Sequence, residues 1–241
     1  MRAAKPSCSD RGIRRRRSVP RRALLKAASA GAFASAFSRV SHGATAIVLP
    51  SASGDRRFSV LYNGARIGAH TVLYSWATGE TLVSTDIRLS VRVLFFTVFA
   101  FSHRSTETWR AGRLMSLESE TVEHGETLHV EGAATPQGFR VVSEGGPFIA
   151  SAATLTSNSL WTPAVLEQAT VVDAQHGGII GVSARRLADE EINVAGHPVR
   201  ATRHAFITPY LAGSIWYDEN GLWVRGDIER DGWKVQYQLD A

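Results

Sequence analysis

The chain has 241 residues, 44% of them hydrophobic, and its 27 Lys+Arg against 22 Asp+Glu give a formal net charge of +5. Residues 1–46 hold 11 of those bases and a single acid, so the rest keeps 16 bases and 21 acids, a net charge of −5. That sign removes the electrostatic case for a nucleic-acid partner, and because Cys8 is the only cysteine, the rest of the chain has neither a disulfide nor a thiolate site.

Residues 1–46 have the three-part layout of an export signal: a basic start (Arg14 to Arg17), a small apolar run (Ala27 to Phe37) and an A-x-A cleavage pattern at Ala44-Thr45-Ala46. Arg21, Arg22, Leu24, Leu25 and Lys26 fall in the register of a twin-arginine signal. The expected partner during export is the twin-arginine translocase, and the expected compartment is the periplasm. The apolar run, about 11 residues, is short for a bilayer, which demands about 20, so no transmembrane segment is expected in the mature chain. A short flexible N-terminus, 47–56, then leads into a single β-rich domain over 57–241.

From Arg57 the sequence breaks into alternating runs separated by turn signals every 8 to 14 residues, the pattern of an antiparallel all-β protein. Phe58 to Tyr62 is a strand, Asn63-Gly64 a type I′ turn, and Arg66 to Trp76 the return strand. Ile87, Leu89, Val91, Val93 and Phe95 alternate with polar residues, as on a half-buried strand. Phe95, Phe96, Phe99 and Phe101 then break the alternation. Two readings stand open for them: a strand or bend buried on both sides, or the lining of an apolar pocket. Strands follow at Leu114 to Val122, Thr127 to Gly132, Phe139 to Ser143 and Phe148 to Ala152. Thr162 as N-cap and Pro163 at the first helical position predict a short helix over 163–169. A turn at 173–178 precedes the remaining strands.

Near the C-terminus, a two-residue I′ turn at Asn220-Gly221 pairs Tyr217 with Val224, Ile215 with Gly226 and Trp216 with Arg225. One face then holds Ile215, Tyr217, Leu222, Val224 and Ile228 as core. The other holds Trp216, Asp218, Trp223, Arg225 and Asp227, either a cross-strand ladder or a stacking platform for a saccharide. No G-x-S-x-G turn occurs, the histidines lack metal-ligand spacing, and no motif names a cofactor.

Several segments, among them Leu160-Trp161-x-Pro163, Asp173-x-Gln175-x-Gly177, Ile215-Trp216-Tyr217-Asp218-x-x-Gly221-x-Trp223 and Val235-x-Tyr237-x-Leu239, resemble an uncharacterised family of exported bacterial proteins. Many of these carry twin-arginine signals and a domain of unknown function. The resemblance implies one long, curved antiparallel sheet of half-barrel type and no established activity. Two functions follow as expectations: a non-enzymatic binding or envelope-associated module for a saccharide or lipophilic ligand, or a hydrolase or lyase acting on an envelope polymer through Asp218, Asp227 or His204.

Overall fold

In the computed structural model, residues 47, 49, 55–93, 95–230 and 232–240 are described. The segment expected to direct export, with Arg21, Arg22, Leu24, Leu25, Lys26, Ala44 and Ala46, lies outside them. Of the expected flexible stretch 47–56, Ile47 and Leu49 pack against the core, and the Asp55 carboxylate accepts a hydrogen bond from the Tyr74 amide at 2.9 Å.

Thirteen strands form one antiparallel sheet. In chain order these are β1 (Arg56–Tyr62), β2 (Ala65–Ala77), β3 (Glu80–Val93), β4 (Phe96–Arg110), β5 (Arg113–Glu123), β6 (Glu126–Thr135), β7 (Gly138–Ser143) and β8 (Phe148–Ala150). After residues 151–182 come β11 (Ser183–Val194), β12 (His197–Ile207), β13 (Ala212–Asp218), β14 (Trp223–Arg230) and β15 (Trp233–Leu239). The two short strands β9 (Thr170–Val172) and β10 (Ile179–Gly181) pair with each other, and Val172 also bridges to Thr156. Spatial order runs β11-β12-β13-β14-β15-β1-β2 and on to β8, so the sheet is two meanders joined where the first strand pairs with the last. It does not close into a barrel: β8 and β11 are its two ends.

The turns follow from backbone chemistry. Asn63-Gly64, Ala111-Gly112, His124-Gly125 and Ala195-Gly196 all have positive φ at both positions, the I′ geometry whose twist matches that of paired strands. The expected strands are all present, several of them longer than the sequence pattern indicates. The expected helix is a 3₁₀ segment, Pro163–Glu167, preceded by a second over Ser159–Trp161. Thr162 does cap it, its hydroxyl accepting from the Ala164 amide, but β-branched Val165 and the early strand signal at Thr170 leave no room for α-helical turns.

Strand alternation puts one set of side chains on the inner face, where residues 151–182 cover them. On β4 the inward residues are Phe101, His103, Ser105, Glu107 and Trp109, three of them polar and all buried. Such groups are costly inside unless hydrogen-bonded. The crossing segment supplies the partners. Asn158 Nδ2 lies 2.9 Å from His103 Nε2 and 2.7 Å from Ser105 Oγ, Thr156 Oγ1 donates to Glu107, and Trp109 Nε1 donates to the same carboxylate at 3.0 Å. Below this network Trp161 stacks edge-on against Trp109 (5.5 Å) and Tyr74 (5.9 Å). The other half of the sheet grips the same segment through Tyr217 Oη, which donates to the Leu160 carbonyl at 2.9 Å.

Candidate functional site

The 218–223 turn decides where the two C-terminal tryptophans go. Asn220 does not take a positive φ; only Gly221 does, at 72°. The Asp218 carboxylate accepts from the Asn220 and Leu222 amides, both at 2.9 Å, and so starts the turn one residue earlier than the I′ register requires. A bulge at Val224 absorbs the extra residue. Trp216 still faces Arg225 and Ile215 still faces Gly226, but Tyr217 faces Trp223 instead of Val224. The expected face assignment is therefore corrected: Trp223 belongs to the inner core and Val224 to the outer face.

This splits the candidate saccharide set. Trp216 sits on the outer face, 3% exposed, its ring covered by the Arg203 and Arg225 guanidiniums at 5.0 and 4.8 Å and its Nε1 donating to Glu190. Arg225 also donates to Asp227 at 2.9 Å. With both ring faces taken, the group is the cross-strand ladder and offers no open platform. Asp218 is committed to its turn. His204 pairs with Ile215 on the inner face while Asp227 shares the outer face with Arg225, so the carboxylates and histidine proposed for hydrolysis do not meet in one cleft.

Trp223 instead helps to wall a cavity of about 360 Å³ between the two halves of the sheet. Ile87, Leu89 and Val91 of β3 and Phe99 and Phe101 of β4 form one wall. Trp233, Val235 and Tyr237 of β15, with Trp223 and Ile228 of β14, form the opposite wall. Leu160 and Leu166 of the crossing segment floor it. Of the four phenylalanines singled out in the sequence, Phe99 and Phe101 line this cavity. Phe95 and Phe96 do not: they stand 96% and 73% exposed at the β3–β4 turn, which reverses the expectation of a doubly buried strand. β3 runs four residues past its last pair with β2, Gly68 with Leu89, and β4 starts five residues before its first pair with β5, Phe101 with Glu123, so no neighbouring strand covers those side chains.

Polar groups gather at one end. Glu123 Oε1 accepts from Arg230 at 2.8 Å, and its other oxygen lies 3.2 Å from His176 Nε2. His176 Nδ1 is 3.0 Å from Asp173 Oδ2. This chain links β5, the 173–178 turn and β14, and the Arg230 guanidinium also lies over the Phe101 ring at 5.9 Å. Deeper in the wall, His70 is packed among Phe58, Trp223 and Tyr237, its ring nitrogens buried without partners. Burial, reinforced by His103, holds His70 down at about 3, and burial holds His103 at about 4. Both imidazoles are therefore neutral near pH 7, and the wall presents no formal charge there. No sequence signal marks His70, His103 or Glu123, since each sits alone in an ordinary strand and meets its neighbours only across the sheet. Among the described residues no three His, Cys, Asp or Glu side chains converge as metal ligands, and no helix is long and apolar enough to cross a membrane.

An unclosed antiparallel sheet around an apolar cavity belongs to the barrel-like β-proteins. A solved structure of such a protein, the beta-barrel-like protein of domain of unknown function DUF1849 from Brucella abortus, is similar to this chain with a TM-score of 0.56 at 9% identity, covering 77% of this chain and 94% of that one. Residues 58–240 match the model of the domain of unknown function DUF6134, and the chain belongs to that family. No curated protein matches it.

Proposed function

We propose that this protein is exported to the periplasm by the twin-arginine route, through Arg21, Arg22, Leu24, Leu25 and Lys26, with cleavage at Ala44-Thr45-Ala46. There it acts as a binding module for a lipophilic ligand. The observation that supports the ligand class is the cavity: about 360 Å³, walled mainly by aliphatic and aromatic side chains, with its charged groups confined to one end. Ligand sites are commonly concave, mostly apolar and furnished with a few placed polar groups. A saccharide is less well served, because Trp216 is sandwiched and Trp223 is packed in the core.

Titrating the protein with a fluorescent fatty-acid analogue tests the ligand class, with Trp223 and Trp233 in the cavity wall as quenching reporters. Saturable quenching that disappears in Leu89→Trp, where the new indole fills the cavity, is the expected result. A linear, non-saturating response in the wild type refutes the lipophilic reading. For the export route, Arg21→Lys with Arg22→Lys is expected to hold the chain in the cytoplasmic fraction.

A further inference from the structure

The β3–β4 hairpin ends in an apolar tip that stays exposed among the described residues. Phe95 is 96% exposed, Phe96 73% and Val98 55%. Isolated exposed apolar residues are ordinary, whereas a contiguous cluster at a protruding turn marks an interaction surface. Neighbours enlarge the cluster. Phe99, the next inward residue, stacks on Trp233 at 6.3 Å, and Trp233, itself 40% exposed, packs on Tyr62 at 4.6 Å.

Antiparallel order brings these groups to one rim. β1, β3, β5, β7, β12 and β14 all run toward it, so the turns at 63–64, 124–125, 145–146 and 208–211, Phe95 and the start of β15 share that end of the sheet. The polar end of the cavity opens at the same rim, since Val91, Phe99, His176, Tyr210, Arg230 and Trp233 are among its lining residues. Tyr210 is 53% exposed. Cations flank the tip itself, while the exposed acids of this rim, Glu126 and Glu144, stand at the β5–β6 and β7–β8 turns, and Glu229 lies 3.6 Å from Lys234. Arg92 is exposed on β3, and the β2–β3 register sets exposed Arg66 at the level of Val91. Lys234, also exposed, follows Trp233.

We infer that this rim docks on an anionic phospholipid bilayer: Phe95, Phe96 and Val98 enter the acyl region, Trp233 and Tyr62 sit at headgroup depth, and Arg66, Arg92 and Lys234 meet the lipid phosphates. Apolar residues at a tip, Trp and Tyr behind them and cations around them follow the depth order of an interface. The docking surface stands on exposure and charge alone. Its role as a loading route, passing a lipophilic molecule from the bilayer into the cavity beside Phe99, rests on the proposed ligand class.

Co-sedimentation of the chain from Ile47 onward, the form left after the proposed cleavage, with vesicles of phosphatidylethanolamine and phosphatidylglycerol, against pure phosphatidylcholine, tests the docking. Preferential binding to the anionic vesicles is expected. Phe95→Ser with Phe96→Ser is expected to weaken it by about tenfold per ring, and Arg92→Glu by about tenfold on anionic vesicles only. Titration of the same variants with the soluble fluorescent fatty-acid analogue separates the two ideas, since neither Phe95 nor Phe96 touches the cavity. Loss of vesicle binding with saturable probe binding retained supports docking. Wild-type protein left in the supernatant, a double variant that binds as well as wild type, or a concentration-dependent dimer that the double variant abolishes each overturns it. Failure of the probe to bind, with vesicle binding intact, removes the loading role and leaves the docking surface.

Discussion

The two ends of the inner face are built differently from one continuous strand. At one end of β4, Glu107 and Trp109 are sealed by Thr156, Trp161 and Leu155 of the crossing segment, all buried. At the other end, Phe99 and Phe101 of the same strand face open volume. The crossing segment sets Trp161 and the hydrogen-bonding residues Thr156 and Asn158 at the first end, while at the other end His176, held by Asp173, reaches Glu123 beside the cavity without filling it. The cavity is thus not a scattered packing fault but the stretch of trough the crossing segment does not fill.

This contrast breaks most decisively at its packed end. Trp161→Ala, which leaves the Trp109 and Tyr74 rings without their partner, is expected to cost about 3 to 5 kcal/mol in denaturant unfolding. Ile87→Ala, on the cavity wall, removes fewer contacts and is expected to cost less than a comparable change in a filled core, about 2 kcal/mol.

A pH series sharpens the same contrast. Burial pushes Glu107 up to about 7, while His70 and His103 are held near 3 and 4. Between the ordinary carboxyl and imidazole values the unfolded chain binds two protons on the histidines that the fold excludes, and the fold keeps one on Glu107 that the unfolded chain releases. The net is one extra proton on the unfolded side, so these groups make stability rise with pH by about 1.4 kcal/mol per unit between roughly pH 4.5 and 6.5. From there to about 7 only Glu107 still differs, and stability falls slightly. Glu107→Gln is expected to steepen the lower limb about twofold and abolish the upper decline; an unchanged profile by urea unfolding would contradict the buried-acid assignment. The smallest effect belongs to the outer face, where Arg225→Ala is expected to cost about 0.5 to 1 kcal/mol through the lost contact with Trp216.

Much of the architecture was legible in the sequence because it is set locally. The Asn63-Gly64 and His124-Gly125 pairs, the period-two alternation of Ile87 to Val91 and the capping by Thr162 each depend on residues within a few positions of one another. The site was less legible. Asn220-Gly221 looks like the turn at Asn63-Gly64, but Asp218 captures two amides and shifts the start, and one residue of shift moved Trp223 across the sheet. The exposure of Phe95 and Phe96 depends on how far β3 and β4 overrun their neighbours, a length difference between strands that periodicity does not contain. The cavity itself needs β4 and β15 on opposite sides of one space, a relation between residues more than a hundred positions apart.

Pairing of β1 with β15 has a consequence for how the chain is made. Phe58 and Val60 lie in the middle of the finished sheet, yet their partners on β15, Leu239 and Tyr237, follow them by 181 and 177 residues (239 − 58 and 237 − 60). Until β15 has been synthesised, β1 remains an open hairpin edge, and the two meanders cannot be sewn together. A circular permutant with new ends in the exposed Glu219-Asn220 turn, its old ends linked, would form that seam during translation and should reach the protease-resistant state sooner after synthesis than the natural order of strands allows.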